Sequence, residues 1–236
     1  MLSQGRGLMD IPMLDQAPEI LRTLHHLSSL VHSLKNPVGT RDHPARLCKD
    51  LHGCRDTLYD GTYWIDPNLG CSSDSIEVTC NFTGGGRTCL RPITTAKVPN
   101  VQLSDHLHCF VFDKCISVWL ELEFSVGRVQ MNFLQLLSAG AEQRITIHCL
   151  NMTVWSHAPS EPPSQNAVQF QAWTGETLEP DVLGDNCWQL NGHWQHADFL
   201  FRVSDPALLP VVRISNLPKT TASSRFHVEV GPVCFL

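Results

Sequence analysis

Ten cysteines run through the chain, at positions 48, 54, 71, 80, 89, 109, 115, 149, 187 and 234, and no two of them form a CxxC pair. That spacing speaks against a zinc ribbon and for disulfides made in an oxidising compartment, so any fold must bring distant segments together as covalent partners. Two N-x-T sequons, Asn81-Phe82-Thr83 and Asn151-Met152-Thr153, point to the same compartment. The opening residues MLSQGRGLMD carry no signal peptide, and no apolar run is long enough to span a membrane. The expectation is a piece of a longer secreted chain.

At 236 residues and 42% hydrophobic content, the chain can bury one core. Its net charge is −6 and its 17 basic residues are scattered, which excludes an obvious nucleic acid or anionic membrane partner.

From Pro18, the segment PEILRTLHHLSSLVHSLKNP places Ile20, Leu24, Leu27, Val31 and Leu34 at spacings of four, three, four and three, the seam of a coiled coil, and Pro37 ends it. Two heptads do not hold alone in water. The helix therefore either joins copies of itself as a short stalk or docks on the domain behind it.

Beyond it the period changes to two. Ile76, Val78, Cys80 and Phe82 alternate, as do Ile145, Ile147 and Cys149, and Phe226, Val228 and Val230. These half-buried strands predict antiparallel sheet. One helix is expected in VQMNFLQLLSAG, with Val129, Phe133 and Leu136/Leu137 at helical spacing and Gly140 as its C-terminal cap. Ser156 to Asn166 reads as an exposed loop inside one domain. The fold class is α+β: antiparallel sheets, a few helices and an N-terminal helical stalk.

Between the first strands lies DGTYWIDPNLGCSSDSIEVTC. Oxygen donors this dense, broken by Pro67 and Gly70, cannot be a helix face and read as a tight loop. Asp66, Asn68 and Asp74 can offer side-chain oxygens, and Leu69 and Cys71 backbone carbonyls. Calcium takes six to eight such oxygens. The other reading is a polar turn with Asx caps.

The motifs GTRDHPARLCKDL, DGTYWIDPNLGC, FLQLLS, ITIHCLN and VGPVCFL together resemble the C-terminal propeptide of fibrillar procollagens, most closely the minor fibrillar types twenty-four and twenty-seven. The resemblance implies a fibrinogen-like domain in residues 37–236, behind a flexible segment 1–17 and a coiled-coil stalk 18–36. It implies a structural matrix protein, assembled in the endoplasmic reticulum lumen and secreted, whose chains trimerise with like or unlike procollagen chains and nucleate the triple helix. It also implies calcium in the loop holding Asp66, Asn68, Leu69, Cys71 and Asp74. Bridges within the chain would be Cys48 with Cys80, Cys89 with Cys234 and Cys149 with Cys187, and Cys54 with Cys71 would join neighbouring chains. A procollagen C-proteinase would cut before an aspartate, at Met9-Asp10 or Leu14-Asp15. Asn81 and Asn151 would carry N-glycans.

The departure lies in residues 98–127, which look like an insertion and hold the extra cysteines Cys109 and Cys115. A local bridge between these two is expected over a zinc site with His106 and His108, whose spacing matches no finger. His193 and His196 read as surface histidines, and Thr83–Thr88 as a hairpin turn lacking the lysine of a phosphate loop. No nucleophile or zincin motif is present, so no enzyme is expected. The competing function is a secreted calcium-dependent recognition module of fibrinogen-like shape, acting as a monomer.

Overall fold

Alternation of apolar and polar side chains builds most of this molecule. A computed structural model describes residues 17–52, 58–69, 72–93, 107–109 and 118–236. The chain begins with helix α1 (Ala17–Lys35), followed by the short helix α2 (Cys48–His52) and strand β1 (Gly61–Ile65). A 3-10 turn (Ser72–Asp74) leads into β2 (Ile76–Asn81) and β3 (Arg87–Leu90). Next come β4 (Leu107–Cys109), β5 (Val118–Glu121), helix α3 (Arg128–Leu136) and β6 (Ala141–Leu150). The remaining strands are β7 (Gln169–Gln171), β8 (Thr177–Leu178), β9 (Asp181–Asp185), β10 (Trp194–Val203), β11 (Arg213–Ser215) and β12 (Arg225–Phe235).

Seven strands form one sheet in the order β1-β2-β3-β12-β6-β10-β9, and five form another in the order β4-β5-β11-β7-β8. Neighbouring strands run antiparallel throughout. The α+β class with few helices is therefore present.

Register explains the core. Ile147 on β6 stands opposite Val228 on β12 and Ala197 on β10, while Ile145 stands opposite Val230 and Phe199. All six are buried, because side chains two apart share a face of the sheet. The second sheet closes over this face through Phe170 on β7, whose ring centroid lies 5.0 Å from Phe199 and 4.9 Å from Phe201. Truncating any of these phenylalanines would cost about 3–5 kcal/mol. Gly231 marks a register shift in β12: a Cβ there would meet the Arg144 carbonyl oxygen at 2.7 Å.

The helix expected near FLQLLS forms, but facing the other way. Gln130, Met131, Leu134 and Gln135 are its buried residues, whereas Val129, Phe133, Leu136 and Leu137 are exposed. Its cap differs too. The helix closes at Leu137 in right-handed geometry, with the Leu137 N–H donating to the Phe133 carbonyl at 3.0 Å, so no left-handed glycine is needed. Gly140 instead permits close approach, since a Cβ would lie 3.0 Å from the Val203 carbonyl oxygen.

The hairpin at Thr83–Thr88 joins β2 to β3. Of the atypical segment 98–127, β4 pairs with β5 and β5 with β11, and Leu120 and Leu122 enter the core. Helix α1 exposes its apolar side chains: Ile20, Leu24, Leu27 and Val31 are 49–56% accessible. The domain behind the helix does not bury that seam. The side chain of Leu34 lies outside the described residues, as do residues 1–16. No described helix is long and apolar enough to cross a membrane.

Candidate metal centre

The hairpin β1–β2, whose last pair is Ile65 with Ile76, is connected by the oxygen-rich loop. Its entry is pinned from outside the hairpin. Ala45 bridges Ile65, and the Asp66 N–H donates to the Ala45 carbonyl at 2.7 Å. Asp66 is thus turned inward and only 3% exposed. The Leu69 N–H then donates to the Asp66 carbonyl at 3.2 Å across a turn centred on Pro67 and Asn68, and Leu69 itself has a left-handed φ of 53°. The 3-10 turn returns the chain with Asp74 at its end, where Asn68 Nδ2 donates to Asp74 Oδ2 at 3.0 Å.

Of the five residues of this loop expected as ligands, the structure brings together Asp66, Asn68 and Asp74. Leu69 sits beside them in the loop, and Cys71 lies outside the described residues. A fourth participant comes from α3. Gln130 Nε2 is 3.0 Å from Asp66 Oδ1, 3.1 Å from Asn68 Oδ1, 2.9 Å from Asp74 Oδ2 and 3.0 Å from the Asp74 carbonyl oxygen. The amide is 4% exposed, and its own Oε1 is buried without a hydrogen-bond partner. Burial pushes the Asp66 carboxyl above its ordinary range, the Gln130 N–H opposes that shift, and the nearby Asp74 charge adds to it.

Two carboxylates, one amide oxygen and a carbonyl oxygen converging on one point are hard oxygen donors, the type calcium takes. Among the described residues no three His, Cys, Asp or Glu side chains gather as a metal cluster. The fit to a cation therefore rests on amide and backbone oxygens beside two carboxylates, and on the orphaned Gln130 oxygen.

Gln130 was not legible as a participant. It lies 64 positions beyond Asp66. Its one signal is a polar side chain at i with Leu134 at i+4, on the helix stripe that turns out to be buried.

Among the described residues, disulfides join Cys48 to Cys80, Cys89 to Cys234 and Cys149 to Cys187, with Cα separations of 5.5, 4.0 and 5.8 Å. They are the pairings that the resemblance implies. They fasten α2 to β2, β3 to β12 and the end of β6 to the segment after β9. Cys54, Cys115 and His106 lie outside the described residues, and of His108 and Cys109 only the backbone, in β4, is described.

Both sequon asparagines are tied into the fold. Asn81 Oδ1 accepts from the Gly84 N–H at 2.6 Å and lies 3.0 Å from the Thr83 hydroxyl oxygen. Asn151, at a left-handed φ of 51°, donates Nδ2 to the Ser223 carbonyl at 3.1 Å and accepts from the Gly192 N–H at 2.8 Å. His193 and His196 are both exposed, with His193 in the turn before β10 and His196 on that strand.

Similarity to known proteins extends over nearly the whole sequence. The family model of the fibrillar collagen C-terminal domain matches residues 16–235. One of the type XXVII alpha-1 collagens of Danio rerio is 78% identical over 233 residues, which are 99% of this protein and 12% of that one. The type XXVII alpha-1 collagen of Rattus norvegicus is 48% identical over 241 residues, covering 100% of this protein and 12% of the relative. The type XXIV alpha-1 collagen of Homo sapiens is 43% identical, over 96% of this protein and 12% of the relative. The sequence thus spans about an eighth of the length of these relatives.

Proposed function

The chain belongs to the fibrillar collagen C-terminal domain family, and from that premise we propose that it is the C-propeptide of a fibrillar procollagen, bringing three chains together and nucleating their triple helix. The role is structural and extracellular, not enzymatic. Chains trimerise in the endoplasmic reticulum lumen, as homo- or heterotrimers, and the product is secreted to the matrix. A procollagen C-proteinase releases the domain at Met9-Asp10 or Leu14-Asp15. The domain proper, residues 37–236, has a fibrinogen-like shape and follows a coiled-coil stalk at 18–36.

The observation that carries this reading is the unburied seam of α1. Ile20, Leu24, Leu27 and Val31 recur at coiled-coil spacing and stay about half exposed in the single chain. A helix of 19 residues with this stripe in water is marginal by itself, and packing it against two copies removes the stripe from solvent.

Calcium, bound through the side chains of Asp66, Asn68 and Asp74 and the carbonyls of Leu69 and Cys71, neutralises the two carboxylates and holds the loop closed. Cys71 lies within that loop, so its presentation to Cys54 of a neighbouring chain depends on loop closure. Cys109 and Cys115 form a local bridge, and glycans attach at Asn81 and Asn151.

Light scattering on the secreted chain tests the reading. The expected mass is three times that of one chain, and Leu27→Asp, which places a charge on the seam, should weaken the trimer by several kcal/mol. A monomer with every cysteine paired internally would overturn it in favour of the recognition module.

A further inference from the structure

We infer that Gln130 is a ligand of the calcium loop, contributed by helix α3, and that the same amide serves as the loop's internal substitute for the cation. The inference rests on the calcium reading above and adds a residue that lies outside the loop.

One amide nitrogen carries two hydrogens, yet four oxygens lie within 3.1 Å of Gln130 Nε2. Acceptors outnumber donors, and two of the acceptors belong to carboxylates. Such crowding of oxygens around one point is what a cation requires, and here the partly positive N–H groups stand at that point. The same amide leaves Oε1 buried, with no hydrogen-bond partner, an expensive arrangement in a side chain 4% exposed.

Turning the amide over exchanges its two ends. Oε1 then faces Asp66, Asn68 and Asp74, an arrangement that is repulsive among oxygens alone and favourable when all of them share a calcium ion. The amide therefore has two useful orientations: nitrogen inward, where its hydrogens hold the carboxylates together, and oxygen inward, where it completes the donor set. Gln130 sits in the first turn of α3, next to Val129 and one turn before Phe133 on the exposed apolar face. Calcium occupancy is thereby linked to the N-terminal end of that helix.

Two substitutions separate the roles. Gln130→Glu keeps an oxygen ligand, adds a charge and removes the N–H groups. It should bind calcium at least as tightly as the parent by titration calorimetry, but should melt at lower temperature in excess chelator, with three carboxylates facing one another. Gln130→Leu removes both functions and should weaken calcium binding roughly tenfold. An added carboxylate firms the calcium-bound state and weakens the free one whatever the amide does, so the ligand role is read from the loss in the leucine variant, and the glutamate variant still overturns it by losing calcium even if the leucine variant fails to fold. Parental calcium affinity in the leucine variant, or loss of binding in the glutamate variant, would overturn the role of Gln130 and leave the calcium loop standing. A parent that takes up no calcium would overturn both.

Discussion

Thr83 donates its hydroxyl to Asp60 Oδ2 at 2.6 Å, across 23 positions of sequence. Oδ1 of the same carboxylate accepts the backbone N–H groups of Phe82 at 2.6 Å and Thr83 at 3.1 Å, so one aspartate before β1 fastens the β2–β3 hairpin turn. The Thr83 hydroxyl bond, joined by the backbone bonds, holds the Asp60 carboxyl below its ordinary value of 3.8. A lowered acid stabilises the fold when ionised. Its contribution is present above the unfolded-state value and is lost as pH falls through the lower folded value. Asp60→Ala should therefore be less stable than the parent at pH 7, and the gap in urea midpoint should close below the ordinary aspartate value as the parent protonates. A gap that persists unchanged at the acid end would show that the carboxylate charge is irrelevant to the turn.

Leu69 holds a left-handed φ of 53° in the oxygen-rich loop, a conformation that costs a leucine about 1 kcal/mol and an asparagine less. Its side chain is exposed, so little packing is lost on replacement. Leu69→Asn should raise stability in chelator by roughly 0.5–1 kcal/mol, read as a higher urea midpoint at unchanged slope. A lower midpoint would mean that the leucine side chain packs usefully against the loop.

How much of this could be read from the sequence itself follows from which contacts are local. Ile145, Ile147, Phe226 and Val228 alternate because one face of each strand is buried, and that pattern is visible within six residues. Asp66, Asn68 and Asp74 were legible as a loop because they lie close in sequence. Helix α3 was legible too, but its direction was not. Val129, Phe133 and Leu136 share one helical face as well as Met131 and Leu134 share another, and two glutamines on the buried face disguise it. Their burial depends on tertiary partners: Gln135 Nε2 donates to the Leu209 carbonyl at 2.8 Å, and Gln130 turns to the loop. Neither partner is within helical reach.

The reversed helix makes its own prediction. Val129, Phe133 and Leu136 present an apolar stripe to solvent in the single chain, with Leu136 78% exposed. Replacing Phe133 and Leu136 together by serine should leave the stability of the isolated chain within about 1 kcal/mol of the parent, since surface changes of this kind cost little each. Assembly should suffer if neighbouring chains cover the stripe. Sedimentation equilibrium reads both states, and an unchanged trimer would assign the stripe to solvent.

Asp66 offers the sharpest separation of metal from fold. Its buried carboxylate receives the Gln130 amide and faces Asp74, so Asp66→Ala deletes one of the two carboxylates of the proposed calcium site, and calcium affinity should fall by roughly tenfold or more. The three bridges between described residues should survive, because they join neighbouring elements that hold together without metal: Cys234 stands directly opposite Cys89 in the β12–β3 ladder. The proposed link between chains should not survive, because Cys71 follows Leu69 by two residues and, on that proposal, needs the loop closed to meet Cys54 of a neighbour. On a non-reducing gel the variant should run as monomer where the parent runs as trimer, and chelator present during folding should reproduce that in the parent. Mass spectrometry of the monomer band should still find Cys48 with Cys80, Cys89 with Cys234 and Cys149 with Cys187. Disulfide-linked trimers forming equally well from Asp66→Ala would reduce the loop to a polar turn, and covalent assembly would then have to be independent of calcium.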